Sequence, residues 1–487
     1  MSDLPQTWTD CRLGDVVDYG LTRKCEPVDI LGDSWVLELE DIEKGTSRLL
    51  DRQTFAQRQS KSTKNCFDAG DVLYGKLRPY LNKVLIADQP GYCTTEIVPL
   101  KAEAHLDARY LFYWLKHPTF LAYVEAESHG LNMPRLGTDT GRAAPFVFAP
   151  RPEQTRIADK LDAVLARVDA CRNRLNRIPA ILKRFRQSVL AAATSGALTE
   201  DLRDANPHSG TGADQITRDL EAKTTLLQSA PALAKKKSSS NSGIDTEYVF
   251  PIPESWNFTS WGALSEWITY GFTRPMPSAP SGVKLVTARD VLNFSLRLAE
   301  AGFTTGEAYA DLSDKDRPRR GDLLITKDGT IGRAAIVATD EPFCINQSVA
   351  VCWLRSTSMD REYLELVANA DFTQTFVQEK AKGMAIQHLS ITDFAQAPVP
   401  VPPPAEQAEI VRRVETLFAF ADRLEARYTA ARAQVEKLTP SLLAKAFRGE
   451  LVPQDPNDEP ASELLARIRV NVASQPKRGR GRKTAAS

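Results

Sequence analysis

The sequence predicts an α+β protein in which two similar mixed α/β domains are separated by two long helices that form an intramolecular antiparallel coiled coil. One amphipathic stretch occurs twice, as EQTRIADKLDAVLARVDACRNRL from Glu153 and as EQAEIVRRVETLFAFADRLEARY from Glu406, at a constant offset of 253 residues. Short motifs upstream of each copy are repeated as well. The chain is therefore a tandem of two halves, each a mixed domain followed by a long helix.

Apolar residues in both copies recur in alternating steps of four and three, which is the seven-residue repeat of a coiled-coil seam. Each copy would span roughly 60 Å at 1.5 Å per residue, longer than most helices of globular domains. The alternative is that each stripe is the buried face of an ordinary amphipathic helix. Two copies in one register favour the coiled coil. The predicted seam residues are Ile157, Leu161, Val164, Val168, Leu175, Ile410, Val414, Leu417, Leu424 and Tyr428.

Proline residues modify this helical prediction. Pro179 interrupts the first copy and Pro440 the second, so each helix is expected to kink or restart there. Antiparallel pairing is expected because two like halves joined head to tail are then related by a pseudo-two-fold axis.

The repeated motifs extend the duplication through both domains. LPQTW from Leu4 is answered by IPESW from Ile252, YGLTR from Tyr19 by YGFTR from Tyr270, and GDVLYGK from Gly70 by GDLLITK from Gly321. Runs such as 72–74 and 84–86 predict strands. The stretches LDARYLFYWLKHPTFLAYV from Leu106 and MDREYLELVANADFTQTFV from Met359 each predict a helix. The proline-rich AAPFVFAPRP and APVPVPPPA predict an extended exit from each domain into its long helix.

These signals predict the domain boundaries. Residues 204–243 include DANPHSGTG and KKKSSSNSG, which are poor in apolar residues and typical of a linker, with a short helical pattern between them. The predicted segments are a first domain over 1–150, a central coiled-coil helix over 151–200, a flexible linker over 201–250, a second domain over 251–403, a C-terminal coiled-coil helix over 404–450 and a tail with a basic end over 451–487.

Composition narrows the class of protein. The 487 residues carry 62 Lys and Arg against 62 Asp and Glu, and no apolar run approaches the ~20 residues of a membrane span. The acidic start predicts no signal peptide. The seven cysteines are scattered and lack a CxxC pair, so we expect reduced thiols, a cytoplasmic protein and no zinc site. The basic stretch PKRGRGRK from Pro476 fits nucleic-acid contact, although such runs are usually only solvated.

Motifs for catalysis are missing from the sequence. HExxH and GxSxG do not occur, and the five histidines show no metal-ligand spacing. GDVLYGKL nearly spells a phosphate-binding P-loop, but Leu77 stands where that motif needs Ser or Thr. The sequence therefore predicts a protein that binds and positions other molecules. It predicts no catalytic and no metal-ligating residues in this chain.

The GDVLYGKL and GDLLITK stretches instead predict a strand leading into a tight loop that presents basic side chains. Arg and Lys on loops suit phosphate contacts and the reading of guanine in the major groove. The alternative for any one residue is ordinary surface charge, but the repetition in both halves favours DNA. The candidate DNA-binding residues are Arg23, Lys24, Lys76, Arg78, Lys83, Arg274, Lys327 and Arg333.

Several long stretches resemble the specificity subunit of type I DNA restriction-modification systems. They are LELEDIEKGT from Leu37, GDVLYGKLRPYLNKVLIAD from Gly70, MPRLGTD from Met133, RFRQSVLAAATSGALTEDLR from Arg184 and KLTPSLLAKAFRGELVPQDPNDEPASELL from Lys437. The resemblance covers nearly the whole chain apart from the linker and the basic tail. The stretches 184–203 and 437–465 are the longest and most specific.

The resemblance implies two target-recognition domains, each reading half of an asymmetric bipartite site in double-stranded DNA and held apart by the paired helices. It also implies two modification subunits, which methylate adenine with S-adenosylmethionine, and restriction subunits, which cut DNA with ATP and magnesium. None of these cofactors is expected in this chain. TKDGTIGR in the second half replaces YGKLRPYLNK of the first, so the two half-sites should differ.

Two other classes remain as alternatives. A scaffold that holds two protein-binding modules on a coiled coil would share the duplication, and a steep fall of duplex affinity with salt would separate it from a DNA reader. A self-contained restriction enzyme is disfavoured by the missing methyltransferase and nuclease motifs.

Overall fold

The computed structural model describes residues 4–128, 133–205, 210–234, 243–381 and 387–474. The chain divides into two compact units, the first formed by residues 1–176 and 429–487 and the second by residues 177–428. Within the described residues, no helix has both the length and the apolar content needed to cross a membrane.

The first part of the chain mixes short strands with helices. The strands are β1 (Thr9–Arg12), β2 (Arg23–Cys25), β3 (Trp35–Leu37), β4 (Gln53–Thr54), β5 (Lys64–Phe67), β6 (Val72–Gly75), β7 (Val84–Ile86), β8 (Gly91–Thr94), β9 (Ile97–Leu100) and β10 (Pro145–Phe148). The helices are α1 (Phe55–Arg58), α2 (Ala108–Trp114), α3 (Pro118–Glu127), α4 (Thr138–Ala143) and α5 (Arg151–Leu175).

The rest of the chain repeats this mixture. Its helices are α6 (Ile178–Ser195), α7 (Glu200–Ala205), α8 (Gly212–Ser229), α9 (Pro231–Ala234), α10 (Trp261–Leu264), α11 (Gly306–Ala310), α12 (Arg361–Asn369), α13 (Asp371–Lys380), α14 (Ile391–Phe394), α15 (Pro404–Ala446) and α16 (Ala461–Ser474). Its strands are β11 (Asn257–Ser260), β12 (Trp267–Tyr270), β13 (Val283–Val286), β14 (Val291–Leu292), β15 (Ser295–Leu296), β16 (Gly302–Thr304), β17 (Leu323–Thr326), β18 (Ala334–Ile336), β19 (Phe343–Ile345), β20 (Val349–Trp353) and β21 (Pro398–Val401).

The sheets of the two units correspond. In the first unit β1 pairs with β10, β6 lies between β7 and β9, and β3 runs parallel to β8 in the order β2-β5-β8-β3-β4. In the second unit β11 pairs with β21, β17 lies between β18 and β20, and β13 runs parallel to β19. The predicted α+β class with two similar mixed domains and long helices is confirmed.

The proline-rich exits are extended, as predicted. β10 pairs with β1 and β21 pairs with β11, both antiparallel, and each strand leads directly into a long helix. Pro152 occupies the first turn of α5, where its missing N–H leaves no hydrogen bond unmade. α15 itself begins at Pro404.

The helix predicted from Leu106 is two helices, α2 and α3, and the stretch from Met359 likewise forms α12 and α13. In the first case Pro118 cannot donate a backbone hydrogen bond, and the His117 side chain accepts from the Thr119 N–H at 3.2 Å to begin α3. In the second case Ala370 has an extended backbone. The two predictions of a single helix were therefore wrong. The helix breaks before Pro118 in the first stretch and at Ala370 in the second.

The two proline residues within the long helices behave differently. α5 ends at Leu175 and α6 restarts at Ile178, with Pro179 in its first turn. α15 continues past Pro440 to Ala446. The expected restart is therefore present at Pro179, whereas the second helix does not restart at Pro440.

Antiparallel pairing of the helices is visible within the second unit. Arg186 of α6 donates to Asp422 and to Glu425 of α15, each at 2.7 Å. Beyond the end of α6, Asp201 accepts from Arg413 at 2.7 Å. Residue numbers rise along one partner as they fall along the other, so the two segments run antiparallel, as predicted.

The predicted seam residues are all buried or partly buried. Buried positions are Ile157, Leu161, Val168, Ile410 and Val414, and partly buried positions are Val164, Leu175, Leu417, Leu424 and Tyr428. In the first unit Ile157 and Leu161 share an apolar cluster with Leu443, Ala446 and Phe447. The first unit thus packs the start of the first long helix against the end of the second.

The segment predicted as a flexible linker contains a packed helix. In α8, Lys223 donates to the carbonyl oxygens of Gly262 and Ala263 at 2.9 and 3.0 Å, and burial lowers the pKa of its ammonium group to about 8. Asp219 accepts from the backbone N–H of Ser358 at 2.9 Å. The short helical pattern expected within this segment is confirmed as α8, whereas the flexible-linker assignment is wrong for 212–229, because these polar side chains find buried partners that composition does not reveal. Residues 206–209 and 235–242 lie outside the described residues.

The segment predicted as a tail also contains structure. Ala461 and Leu465 of α16 are buried in the apolar cluster of the first unit, and Arg469 pairs with Asp15 at 3.0 Å. The tail prediction is therefore wrong for 461–474. The basic stretch from Pro476 lies outside the described residues.

Candidate nucleic-acid interface

The repeated GD motif builds the turn that starts the central strand of each unit. Asp71 accepts from the backbone N–H of Asp68 at 2.8 Å, and Asp322 accepts from that of Arg319 at 2.9 Å. The glycines before them, Gly70 and Gly321, have φ of +89° and +87°, a conformation that favours glycine. The motif therefore has a structural role in starting β6 and β17.

The loop after β6 is held by backbone hydrogen bonds at its base. Lys76 donates to the carbonyl of Glu96 at 2.9 Å and accepts from Leu136 at 3.0 Å, while Arg78 donates to the carbonyl of Pro134 at 2.7 Å. These contacts bring residues 133–137 (MPRLG) against residues 75–78 (GKLR). The Lys76 side chain is partly buried and the Arg78 side chain is exposed, so Arg78 is the better placed of the two to reach a ligand.

Lys83 closes the same loop. Its ammonium group donates to the carbonyl of Leu39 at 2.7 Å, and its own carbonyl accepts from Gly75 at 2.9 Å. The partly buried side chain therefore fastens the loop to the neighbouring 3-10 turn. A DNA contact by Lys83 stays a prediction, although this bond directs its charge inward.

Arg23 and Lys24 are exposed on β2. They do not lie in the same cluster as Lys76 and Arg78. Arg23 pairs at 2.8 Å with Asp68, in the turn before β6, and this contact raises the pKa of its guanidinium. The loop after β6 lies at the other end of that strand, roughly 13 Å away at 3.3 Å per residue. The predicted residues of the first unit therefore occupy two places.

A cavity of 520 Å³ opens beside Arg23. Its acidic lining residues are Asp15, Asp18, Asp68, Asp71 and Glu103, which outnumber the basic residues Arg23 and Lys101. A phosphate entering this cavity would meet net negative charge. Arg23 is therefore less suited to phosphate contact than Arg78.

Lys327 of the second unit is buried, with 5% of its surface exposed. Its ammonium group donates to Asp328 at 3.1 Å, lies 3.4 Å from Nδ1 of His388 and sits 4.9 Å from the ring centre of Tyr270. The expectation that this loop presents Lys327 at its surface is wrong, because a neighbouring carboxylate and a ring 57 residues earlier enclose the charge.

Two other basic residues of the second unit remain candidates. Arg333 is partly buried, and its backbone pairs with Thr326, whose Oγ1 accepts the Arg333 N–H at 3.0 Å. Arg274 is exposed, four residues after Tyr270. Their contact with DNA stays a prediction.

The structure adds residues that sequence reasoning missed. Arg135 bridges to Leu77, and His388 bridges to Asp328 at the corresponding place of the second unit. Arg135 pairs with Glu96 at 3.1 Å, and His388 pairs with Asp328. Arg135 and His388 are 253 residues apart, the same offset as the two long helices. That shared offset could have identified them from the sequence. Tyr80, 55% exposed, stands beside Arg78.

Each mixed domain is joined to its long helix through a buried glutamate. The repeated LPxxW motif supplies the partner: the indole N–H of Trp8 donates to Glu153, and that of Trp256 donates to Glu406, both at 2.8 Å. The adjacent Gln154 accepts from the backbone of Asp107, and Gln407 accepts from that of Asp360. The EQ pair thus anchors each mixed domain to the first turn of its helix.

Known proteins match this chain over most of its length. The family described as type I restriction modification DNA specificity domain matches residues 5–180 and 287–431. The specificity subunit of the type I restriction enzyme EcoBI from Escherichia coli is 30% identical over 406 residues, covering 81% of this chain and 78% of that protein. The EcoKI specificity subunit from Escherichia coli strain K12 is 27% identical and covers 77% of this chain and 74% of its own length.

Solved structures share the fold. The HsdS subunit from Thermoanaerobacter tengcongensis aligns with a TM-score of 0.56 at 18% identity, covering 92% of this chain and 98% of that chain. A chain from the structure described as the basis of complex assembly and conformational transition of the type I R-M system aligns with a TM-score of 0.64 at 16% identity. It covers 92% of this chain and 99% of its own length.

Proposed function

This chain belongs to the family of type I restriction-modification DNA specificity domains, and we propose that it serves as a subunit reading a bipartite, asymmetric site in double-stranded DNA. The observation that carries the proposal is the duplicated fold with unlike loops in equivalent places. KLRPYLNK follows β6 and KDGTIGR follows β17, each stabilised by a short bridging segment from the same unit. Two like frameworks with different side chains suit two different half-sites.

The chemistry of recognition follows from these loops. An exposed arginine such as Arg78 can donate two hydrogen bonds to the O6 and N7 atoms of guanine. The second loop holds Asp328 and His388 at its base, and carboxylates accept hydrogen bonds from the amino group of cytosine. Different base preferences for the two units follow from these two sets of groups.

Methyl transfer and cleavage belong, in this proposal, to partner subunits. Two modification subunits would bring S-adenosylmethionine and methylate adenine, and restriction subunits would bring ATP and magnesium. The role of this chain is to place them on the DNA. Support comes from its similarity to specificity subunits over most of their length.

Labelled methyl transfer tests this proposal. The purified chain alone is expected to transfer no methyl group from S-adenosylmethionine to DNA, whereas the chain assembled with its modification subunits is expected to methylate adenines. Sequencing of the methylated DNA should then show two unlike specified blocks around an unspecified spacer. Methyl transfer by the chain alone, or a single continuous motif, would contradict the proposal.

Lengthening the helices tests whether they determine the spacer between the half-sites. Four residues inserted after Ala170, with four more after Gln434 of α15, should add ~6 Å to the pair at 1.5 Å per residue. That length corresponds to one or two base pairs at ~3.4 Å each, so the spacer should grow by one or two base pairs while the specified bases stay the same. Methylation spacing is read by sequencing.

A four-residue insertion after the exposed Gly243 provides the control. It lies outside both long helices and should leave the spacer unchanged. If a folded, active variant with lengthened helices still methylates the original spacing, the helices do not act as a ruler.

A further inference from the structure

The loop after β6 contains a turn with an unusual backbone. Arg78 and Asn82 have φ of +50° and +46°, and between them Pro79–Leu81 forms a single 3-10 turn. Both residues are therefore in the left-handed region, where a side chain is strained. Asparagine tolerates this region better than most residues. Arginine has no such advantage, and a residue before proline is restricted further.

The second unit shows which residue this backbone favours. In the corresponding loop the left-handed positions are Gly329 and Gly332, with φ of +76° and +86°. The same local path is therefore built with glycine in one copy and with Arg78 and Asn82 in the other. Strained residues are kept where their side chains have a use, and an observed outlier of this kind points to function.

Hydrogen bonds hold the turn in this conformation. Arg78 donates to Pro134 at 2.7 Å, Leu81 donates to Arg78 at 2.9 Å, and Asn82 donates to Pro79 at 2.9 Å. Gly45 donates to Leu81 at 3.1 Å from a neighbouring loop. The turn is thus tied to two other segments of the first unit and is ordered before any ligand arrives.

The tip of the turn points two large side chains at solvent. Arg78 is exposed, and Tyr80 is 55% exposed between two partly or fully buried neighbours, Pro79 and Leu81. An exposed tyrosine ring on a rigid turn gives contact area at a low cost in side-chain entropy. In the second unit Gly329 and Thr330 are both exposed in the turn, and Ile331 is buried.

We propose that residues 78–82 are the base-reading element of the first unit, in which Arg78 donates to guanine and the ring of Tyr80 packs against the neighbouring base or its methyl group. This inference rests on the proposed function and adds Tyr80 to the residues expected at DNA. The small Thr330 at the tip of the second turn cannot make the same packing contact, so aromatic packing belongs to one half-site only.

Duplex binding by the full chain assembled with its modification subunits tests the contacts. Arg78→Ala and Arg78→Gly should each weaken binding to the cognate duplex by about 5- to 150-fold. Tyr80→Ala should weaken it by roughly fivefold or more, whereas Tyr80→Phe, which keeps the ring, should bind within about twofold of the unchanged chain. A Phe variant as weak as the Ala variant would overturn the packing role of the ring.

The methylation motif supplies a second readout. Arg78→Ala should relax the requirement for one base in one block of the motif and leave the other block intact. Relaxation in both blocks, or in neither, overturns the assignment of this turn to one half-site. If the unchanged complex shows no sequence-specific binding at all, the proposed function fails. If it binds specifically and the Arg78 and Tyr80 variants bind equally well, this inference alone fails.

Melting temperature separates strain from contact. Both Arg78 variants lose the side chain, but only glycine relaxes the left-handed backbone, so Arg78→Gly should melt about 1–2 °C above Arg78→Ala. In the second unit Gly329→Ala adds strain where an added Cβ meets nothing within 4 Å, and it should melt about 1–2 °C lower than the unchanged chain. Equal melting of the Arg78 variants would overturn the strain argument.

Discussion

Replacement of Glu406 by alanine is expected to lower the free energy of unfolding of the second unit by about 3–5 kcal/mol. Glu406 is 2% exposed. It accepts from the indole N–H of Trp256 at 2.8 Å and from the hydroxyl of Thr199 at 2.7 Å, and it pairs with Arg203. Alanine removes the acceptor for all three donors at once and leaves the guanidinium without its carboxylate.

The first unit provides a matched control. Glu153 accepts from Trp8 at 2.8 Å and from the side-chain amide of Gln454 at 2.5 Å, and burial raises the pKa of its carboxyl group. Because both donors are neutral, Glu153→Ala should cost less, about 2 kcal/mol. Urea unfolding can be monitored by the hydrogen exchange of backbone amides. Amides of β6 report the first unit and amides of β20 report the second. A smaller loss for Glu406→Ala than for Glu153→Ala would contradict this explanation.

Replacement of Gly271 by alanine is expected to cost about 3 kcal/mol in the second unit. A Cβ at this position would stand 1.8 Å from the carbonyl oxygen of Ile345 and 2.7 Å from that of Asn346. These are backbone atoms that also hold Phe272, whose N–H donates to Ile345 at 3.2 Å. The strand end cannot move aside without breaking that bond, so the substitution should be strongly destabilising.

Two glycines calibrate this effect. Gly20, the counterpart in the first YGxTR motif, has φ of +86°, and its Cβ would lie 2.5 Å from the Thr138 side chain. Since a side chain can rotate, Gly20→Ala should cost less, about 1–2 kcal/mol. Gly302→Ala on β16 meets nothing within 4 Å and should change stability by no more than about 0.5 kcal/mol. Urea unfolding of the three variants gives the comparison, and a Gly271 variant as stable as the Gly302 variant would contradict it.

The elements predicted correctly are those with a local signal. The strands at 72–74 and 84–86 follow from β-branched runs, and the restart at Pro179 follows from a missing N–H. All ten predicted seam residues are buried or partly buried, as expected for an apolar stripe of helical period, while their pairing in one seam stays a prediction. The YGxTR and GD repeats were also recognisable because they are short local motifs that occur in both halves. Their glycines have structural roles.

The errors arise where burial depends on distant residues. Lys327 reads as a surface cation, yet Asp328, His388 and Tyr270 enclose it. Lys223 sits in a stretch that resembles linker, yet its charge is held by the carbonyl oxygens of Gly262 and Ala263. Composition describes how polar a segment is and contains no record of the partner that the fold brings to it.

The sequence by itself determined that this protein is a tandem of two mixed domains with two long helices, because repeats, heptads and prolines are properties of neighbouring residues. Only the tertiary structure decided how each unit is completed. Glu406 meets Thr199, which lies 207 residues earlier, and Arg156 meets Asp458, 302 residues later. The first unit, which contains α5, is therefore completed by the C-terminal part of the chain, including the end of α15. Such pairs are selected by burial and charge in three dimensions, and no period along the chain encodes them.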